Sequence, residues 1–435
     1  MKLATPTTTK AHEISALSQS EGDEFLQRLK FSAYDATLES LEAKKLTVDR
    51  ISAGMRRDEI ARSLEIMLAV EGVTLGVTQR SKVIEEIDYE LTGLGPIQPF
   101  LDDQTIDDII VNGHKTIYVE RNGELEERHS RFRDDMHLMN IIQRIVGPVG
   151  RRVDESSPYV DARLADGSRV NVIIPPVALD GPMLSIRKFR AQPLRAKELV
   201  GIEMMTGEML AYLATAVNSR LNVLICGGTG SGKTTLLNAL SSYIGVKERV
   251  VTIEDTAEIR LQQRHVVRLE TRPRSPDNPG SEITARDLMR NSLRMRPDRI
   301  ILGEIRGEEA IDMLQAMGTG HHGSMATVHA NNPREAMDRL EILVGLTEMR
   351  AEPRTLRRYI ANSVNVVVQT SRSAGGRRRV VSIVEVTGIE GESYSLNELF
   401  RFVEDGPQAE AGRFEAVVRR SHFASRLRSV DLRDF

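Results

Sequence analysis

Residues 221–235 have the sequence Leu-Asn-Val-Leu-Ile-Cys-Gly-Gly-Thr-Gly-Ser-Gly-Lys-Thr-Thr. The mostly apolar stretch 221–226 predicts a buried strand, and residues 232–242 predict a helix. Between them, residues 227–234 match G-x-x-x-x-G-K-[ST] at every fixed position. The glycines allow successive backbone N–H groups to line one anion-binding nest, and the helix N-terminus adds positive potential. This stretch therefore predicts a phosphate-binding loop in an α/β fold.

In such a loop, Lys233 contacts the β- and γ-phosphates of a nucleotide and the Thr234 hydroxyl binds Mg²⁺. Only 11 of the 59 basic residues are lysine, and Lys233 and Lys247 are the only lysines after Lys197. A lysine kept among arginines indicates a need for a compact ammonium group. ATP and Mg²⁺ are the expected cofactors. The predicted nucleotide-binding residues of the loop are Gly227, Gly228, Thr229, Gly230, Ser231, Gly232, Lys233, Thr234 and Thr235.

Strands and helices of about ten residues alternate around this loop, which predicts a mainly parallel sheet covered on both faces. A final strand pair is predicted at 364–369 and 379–386. The predicted strands of the alternating part are 250–253, 266–269, 300–302 and 325–328, and its helices are 284–294, 308–317 and 333–344.

The residues before the loop predict smaller structural regions. Residues 1–20 are polar and without periodicity, which predicts a disordered N-terminus. Residues 21–90 have helical spacing and predict an accessory region of two to four helices. Residues 91–190 contain hairpin patterns and one helix, typical of a mixed α/β domain, and 191–206 are a candidate linker with a connecting helix. Residues 207–435 form the nucleotide-binding domain with a C-terminal tail.

Composition excludes several classes of protein. The net charge is −3, so a generic nucleic-acid coating protein is disfavoured. Aromatic residues make up 4% and tryptophan is absent, which disfavours a helicase with stacking platforms. The single cysteine, Cys226, rules out an intrachain disulfide and a cysteine-based zinc site. No apolar run approaches 18 residues, so we expect a cytoplasmic protein without a membrane span of its own.

Two further predicted strands end in acidic residues. Residues 250–255 deliver Glu254 and Asp255, and residues 299–306 deliver Glu304, each to the carboxyl end of a strand, where ligands bind in such sheets. Glu304 replaces the more common aspartate and is expected to hold Mg²⁺ through water. Glu254 is the better candidate to polarise the attacking water, although the choice between the two acids stays open.

Histidines and arginines complete the candidate site. His329 follows the strand 325–328 and is expected to sense the γ-phosphate, and His321 is a second nucleotide-binding candidate; the spacing of these histidines is not that of a zinc site. Arg163, Arg169, Arg187 and Arg190 lie on or beside strands of the preceding domain, and an arginine from there could neutralise the phosphoryl group, with a surface ion pair as the alternative. The run 377–379 is expected to be a solvated charge cluster at a hairpin turn.

Together these segments resemble the secretion-superfamily ATPases, the motors of type II and type IV secretion and of type IV pili. Residues 254–255 resemble their Asp box, 303–306 their atypical Walker B motif and 320–331 their His box. Within this superfamily the resemblance is greatest to the CpaF branch of tight-adherence (Tad/Flp) pilus motors. The resemblance spans residues 89–402. The sequence lacks the tetracysteine zinc motif that many other motors of the superfamily carry. The stretches that carry it further are 94–96, 111–113, 150–158, 161–171 and 293–300.

This resemblance implies an N-terminal α/β domain and a RecA-like domain with ATP bound between them, in a ring-shaped homohexamer. The implied function is ATP hydrolysis that drives assembly, and in one alternative also retraction, of a Tad pilus through an inner-membrane platform. The motor would dock on the cytoplasmic face of that platform, without direct contact to nucleic acid. A type II or type IV secretion or conjugation motor, and a nucleotide-gated scaffold without turnover, are the competing hypotheses.

Overall fold

In a computed structural model, residues 12–13, 19–121, 123–189, 194–272, 279–347, 352–373, 375–406, 412–418 and 420–427 are described. The chain divides into two compact units, Met1–Arg190 and Ala191–Phe435. Most of the predicted disordered segment 1–20 lies outside the described residues. Within it, the strand β1 (His12–Glu13) pairs in parallel with β2 (Val73–Thr74).

Three helices form the N-terminal part of the first unit, as the periodicity predicts. Ser52 caps the second helix by accepting a hydrogen bond from the Met55 backbone N–H, and Gly72 ends it in the left-handed conformation. Leu64 and Ile87 are fully buried in the small core between the helices. The helices are α1 (Gln19–Ala43), α2 (Ala53–Glu71) and α3 (Val77–Thr92).

The remainder of the first unit is a six-stranded antiparallel sheet with the order β5-β4-β3-β8-β7-β6. One face packs on α5, where Leu138 and Ile142 are fully buried against strand residues such as Val172. The opposite face carries polar side chains, because residues alternate between the two faces of a strand. The elements are α4 (Gln98–Asp102), β3 (Ile106–Asn112), β4 (Thr116–Arg121), β5 (Glu124–Arg128), α5 (Asp135–Val146), β6 (Tyr159–Arg163), β7 (Arg169–Ile173) and β8 (Met183–Arg187).

A buried polar cluster ties the helices to this sheet domain. The Glu90 carboxylate is 3.3 Å from the Lys30 Nζ atom and 2.9 Å from the His137 Nε2 atom. Burial alone would raise the pKa of Glu90, but the hydrogen bond with His137 and the charge of Lys30 hold it below its usual value. The accessory helices and the sheet domain are therefore parts of one packed unit.

The second unit contains the predicted alternation of strands and helices around the phosphate-binding loop. Residues 194–206, the described part of the predicted linker, contain α6 and pack into the core of this unit, where Leu199, Met204 and Met205 are buried. The elements are α6 (Ala196–Gly201), α7 (Gly207–Asn218), β9 (Val223–Gly227), α8 (Lys233–Ser241), β10 (Val250–Glu254), β11 (Val266–Glu270), α9 (Ala285–Ser292), β12 (Arg299–Ile305), α10 (Glu309–Gly318), β13 (Met325–Val328), α11 (Pro333–Gly345), α12 (Pro353–Ser363), β14 (Val366–Arg372), β15 (Arg378–Glu390), β16 (Ser393–Glu404) and β17 (Gly412–Ala416).

These strands form one nine-stranded sheet with the order β11-β10-β12-β13-β9-β14-β15-β16-β17. The six strands from β11 to β14 are parallel, and the last three are added antiparallel. Leu224 and Cys226 face a core formed with α9 to α12, and Val223 and Ile225 face a core formed with α7 and α8. The prediction of a mainly parallel sheet covered on both faces is confirmed.

The described helices include none that is long and apolar enough to cross a membrane. Several elements of the second unit were not predicted from the sequence, namely α7, α12, β16 and β17. The strands β16 and β17 lengthen the antiparallel part of the sheet well beyond the predicted strand pair.

Candidate nucleotide-binding site

The phosphate-binding loop runs from the buried strand β9 into α8. Gly230 and Gly232 have φ angles of 69° and 97°, a region that side chains with a Cβ atom rarely adopt. The helix begins at Lys233 without a side-chain cap, so the backbone N–H groups of its first turn remain available to a ligand. An uncapped helix N-terminus after a glycine-rich turn is a ready-made anion site.

Lys233 folds back over this loop. Its Nζ atom donates hydrogen bonds to the carbonyl oxygens of Gly227 at 2.9 Å and Gly228 at 2.8 Å. Burial lowers the pKa of Lys233, and the negative charge of Glu304 opposes that effect. The Lys233 Nζ atom therefore lies at the nest, within the electrostatic influence of Glu304 near the end of β12.

The hydroxyl side chains of the loop and of the first helical turn occupy different positions. Thr229 is exposed, whereas Thr234 and Thr235 are half-buried at the start of α8. The Ser231 hydroxyl donates a hydrogen bond to the Gly228 carbonyl at 2.8 Å. Thr234 is thus the hydroxyl that follows Lys233 directly at the nest, the position that suits a Mg²⁺ ligand.

Glu254 ends β10 and is buried, with 4% of its surface exposed. Its Oε1 atom accepts hydrogen bonds from the backbone N–H groups of Glu258 and Ile259, both at 2.8 Å, and its buried Oε2 atom has no partner among the described residues. Burial raises the pKa of Glu254 to about 7. A carboxylate with a pKa near neutrality and one unsatisfied oxygen suits general-base catalysis.

Glu304 lies near the end of the neighbouring strand β12. Its Oε2 atom accepts hydrogen bonds from the Nη2 and Nε atoms of Arg306 at 2.6 and 2.9 Å, and the Arg306 Nη1 atom donates to Asp255 at 3.0 Å. A Cβ atom on Gly303 would lie 3.0 Å from the Glu254 Cγ atom, so glycine there lets the two acidic strand ends pack closely. Arg306 was not singled out from the sequence. Its position two residues after Glu304 could have indicated the contact, because residues i and i+2 of a strand point to the same face.

Because β9, β10, β12 and β13 are parallel, their carboxyl ends meet at one edge of the sheet. His329 directly follows β13, at this edge, and its side chain is exposed. The Thr327 hydroxyl on β13 donates a hydrogen bond to the Gly303 carbonyl at 2.5 Å, linking β13 to the acidic strand. Lys233, Glu254, Glu304 and His329 are therefore all delivered to the same edge.

His321 lies at the other edge of the sheet. It precedes β13, and its carbonyl accepts a hydrogen bond from Ser324, whose own hydroxyl accepts one from the Ile300 backbone N–H at the start of β12. The structure therefore does not bring His321 to the phosphate-binding loop of its own unit, because it stands at the amino end of the strand that carries His329.

Three of the predicted arginines form a row across the sheet of the first unit. Arg163 on β6 is directly opposite Arg169 on β7, which is directly opposite Arg187 on β8. Directly paired residues share a face of the sheet, so the three side chains project from the face that does not pack on α5. The Arg187 Nε atom also donates to Asp108 at 3.2 Å, and burial raises the pKa of Asp108. Arg190 lies outside the described residues.

The prediction that residues 377–379 form a solvated cluster is corrected by the structure. They do adjoin the β14–β15 turn, but Arg379 is buried and lies 4.7 Å above the Phe402 ring. The Arg378 Nε atom donates a hydrogen bond to the Gly230 carbonyl of the phosphate-binding loop at 2.9 Å. Of the three, only Arg377 is largely exposed, whereas Arg379 is covered by Phe402 on β16.

ATP and Mg²⁺ fit the residues present. The nest and Lys233 match the phosphates, and the Thr234 hydroxyl and the Glu304 carboxylate are hard oxygen donors of the kind Mg²⁺ prefers. The described part of the chain holds no cluster of three or more His, Cys, Asp or Glu side chains placed to bind a metal. A magnesium ion bound to a nucleotide needs no such cluster, because phosphate oxygens and water supply most of its ligands.

Comparisons with known proteins agree on the family. Residues 90–383 match the family described as type II/IV secretion system protein. A putative conjugal transfer protein of Mycobacterium tuberculosis is 36% identical over 73% of this chain and 91% of its own length. A type IV secretion system protein PtlH homolog of Bordetella bronchiseptica is 35% identical over 68% of this chain and 94% of its own length.

The fold is similar to that of a solved ATPase. The ATPase DotB of Yersinia pseudotuberculosis aligns with a TM-score of 0.50 at 19% identity, covering 69% of this chain and 79% of that one. With the phosphate-binding loop intact and the family match spanning more than half of the chain, the chain belongs to the type II/IV secretion system protein family.

Proposed function

We propose that this chain is an ATP-hydrolysing motor of a secretion-family machine. The observation that carries the proposal is that Lys233 lies at the same edge of a parallel sheet as two strand ends that carry acidic residues. The nest and Lys233 bind the phosphates of ATP, Thr234 and Glu304 hold Mg²⁺, and Glu254 takes a proton from the attacking water. His329 is a γ-phosphate sensor at the same edge.

The arginine row supports an anion-binding role for the first unit. Arg163, Arg169 and Arg187 lie side by side on one face of the sheet, an arrangement of guanidinium groups that suits an anionic partner. We assign Arg163 to nucleotide binding, and Arg169 and Arg187 to stabilisation of the charge that develops on the γ-phosphoryl group. Arg187 also forms an ion pair with Asp108, so binding of a phosphoryl group would compete with that carboxylate for the Arg187 side chain.

The phosphate nest lies in the second unit, and the arginine row lies in the first. We propose a homohexameric ring of chains in which residues 91–190 and 207–435 act as the α/β and RecA-like domains. Residues 191–206 connect them, and residues 194–206 pack into the core on the RecA-like side. Residues 21–90 are accessory helices. His321 is not part of the proposed site, since it stands at the opposite edge of the sheet.

Two machines are candidates for the work this motor does. The resemblance of residues 89–402 to Tad pilus motors supports pilus assembly through an inner-membrane platform, with the motor at its cytoplasmic face. The conjugal-transfer and type IV secretion relatives support a conjugation or secretion motor at least equally. Deleting the gene in its host distinguishes them, because loss of pili with normal DNA transfer supports the first and the reverse supports the second.

The enzymatic proposal is tested on the full-length chain with Mg²⁺ and ATP. We expect steady-state release of phosphate and, with a non-hydrolysable ATP analogue, a species of six chains by size-exclusion chromatography with light scattering. Nucleotide binding without turnover, also in the presence of platform protein, would support the nucleotide-gated scaffold instead. A fully active monomer would contradict the ring.

A further inference from the structure

The phosphate-binding loop is supported by a second part of its own unit, the β14–β15 hairpin. Thr370 on β14 pairs with Gly227, and its hydroxyl lies 2.9 Å from the Ser231 hydroxyl and donates to the Cys226 carbonyl at 3.2 Å. A Cβ atom on Gly227 would lie 2.3 Å from the Thr370 carbonyl oxygen. The loop therefore begins in close contact with the backbone of β14.

Two arginines of this hairpin flank the middle of the loop. The Arg378 Nε atom donates to the Gly230 carbonyl at 2.9 Å, and its Cδ atom is 3.6 Å from the position that a Cβ atom on Gly232 would occupy. The Arg372 Nη1 atom is 3.4 Å from the corresponding position on Gly230. Both guanidinium groups thus lie at the two glycines that have left-handed φ angles.

The hydrogen bond to Gly230 sets the direction of the next backbone N–H group. In a trans peptide the carbonyl of one residue and the N–H of the following residue point in opposite directions. With the Gly230 carbonyl held by Arg378, the Ser231 N–H points into the loop and donates a hydrogen bond to the Gly228 carbonyl at 3.4 Å. Lys233 donates to that same Gly228 carbonyl, so both groups that would bind phosphate already face one point.

We propose that Arg378 is a positioning residue for phosphate binding, acting through the orientation of the peptide between Gly230 and Ser231. Glycine at 230 makes rotation of this peptide easier, and the bond from Arg378 restricts that rotation before the nucleotide arrives. The guanidinium groups of Arg378 and Arg372 add positive potential at the nest. This inference rests on the proposed function, since it deepens the account of the same nucleotide site.

The hairpin also contacts the segment between α6 and α7. The Val380 backbone N–H donates to the Met204 carbonyl at 2.8 Å, and the Met204 Cε atom is 3.2 Å from the position that a Cβ atom on Gly232 would occupy. The strand that carries Arg378 is therefore bonded, two residues further on, to a segment that itself contacts the loop.

The test compares R378A and R378K with the control R377A in the full-length chain. Arg377 is adjacent and exposed, and its Nη1 atom is 3.9 Å from Glu203. We measure the affinities for ADP, a non-hydrolysable ATP analogue and inorganic pyrophosphate, together with the melting temperature with and without ADP. For R378A we expect an affinity about tenfold weaker for all three ligands, in the range of one charge-assisted hydrogen bond.

R378K is expected to lose affinity nearly as much, because lysine keeps the charge but lacks the planar Nε donor. R377A should stay within about twofold, and the ligand-free melting temperatures of all variants should agree within about 2 °C. If R378A lowers the ligand-free melting temperature, R378K decides, since it keeps the charge and an aliphatic stem.

Full affinity in R378K would show a role of charge alone and overturn the inference, as would unchanged affinity in R378A. A loss for ADP without a loss for pyrophosphate would place the effect away from the phosphates and also overturn it. If the unsubstituted chain binds none of the three ligands, the proposed function itself fails.

Discussion

The phosphate nest of the second unit and the arginine row of the first unit are built in different ways. The nest consists of consecutive residues whose backbone N–H groups point to one place, so its chemistry is contained in eight letters of sequence. The row consists of single side chains on three strands, brought together by strand register. A site made of backbone is visible in a local motif, whereas a site made of side chains becomes visible only when the strands are paired.

The largest effect is expected at the nest. Lys233→Ala removes the cation that lies over the loop, so hydrolysis should fall below detection and ADP should bind about 10- to 100-fold more weakly. Isothermal titration and a phosphate-release assay measure the two losses. Lys247→Ala is the matched control, because Lys247 is another lysine of this unit and is exposed. Normal turnover in Lys233→Ala would remove the nest from the catalytic site.

Next in size is the loss of the base. Glu254→Gln keeps an oxygen for the N–H groups of Glu258 and Ile259 but cannot take a proton, so kcat should fall about 10²- to 10⁴-fold while ATP still binds. In the unsubstituted chain, kcat should rise with pH through about 7 as Glu254 loses its proton. Rapid-quench kinetics from pH 5.5 to 8.5 tests both statements. Normal turnover in Glu254→Gln with loss in Glu304→Gln would assign the base to Glu304.

The arginine row should show a smaller and more selective effect. Arg169→Ala and Arg187→Ala should weaken the binding of an ATP analogue about tenfold while ADP affinity stays within about twofold, because the γ-phosphate carries the charge they meet. Arg128→Ala, on the edge strand β5, is the control. Equal losses for both nucleotides would indicate simple electrostatic attraction. An unchanged Arg187→Ala variant would leave Arg187 as the ion-pair partner of Asp108.

The smallest effect concerns stability. The folded-state pKa of Glu254 lies above its usual value, so the native state holds this proton more tightly, and the resulting stability is present at low pH and lost as pH rises through about 7. Glu254→Gln should remove this loss. The free energy of unfolding of the variant, relative to that of the unsubstituted chain, should therefore be about 1–3 kcal/mol higher at pH 8 than at pH 5. Thermal melting at both pH values measures the difference. A pH-independent difference would show that Glu254 ionises as freely as in the unfolded chain.

Much of the fold was predictable because local patterns specify it. The strand before Gly227, the helix capped by Thr284 and the helix that begins with Pro333 agree with the structure within one or two residues at their starts. The helix α12 and the strands β16 and β17 were missed. Strand β16 pairs antiparallel with β15, in the part of the sheet that lies beyond the parallel strands. It is only partly buried, so its hydrophobic pattern is weak.

The candidate site was predictable only in part. Lys233, Glu254, Glu304 and His329 follow strands of one parallel sheet, and sheet topology alone brings such residues to one edge. The contact of Arg378 with Gly230 joins residues that are 148 positions apart, and no local pattern encodes it. The pKa of Glu254 is raised because the carboxylate is buried. The sequence shows that Glu254 ends a strand, but it does not show whether its side chain is buried.

The only thiol of the chain, Cys226, gives this protein an internal reporter. Cys226 is fully buried at the end of β9, directly before the loop, and burial raises its pKa to about 12. A thiol reagent can modify it only when this part of the sheet opens, so the rate of modification measures the frequency of local unfolding at the nest. Adding nucleotide should slow that rate. A cysteine introduced at the surface could be labelled selectively, because Cys226 reacts only when this part of the sheet opens.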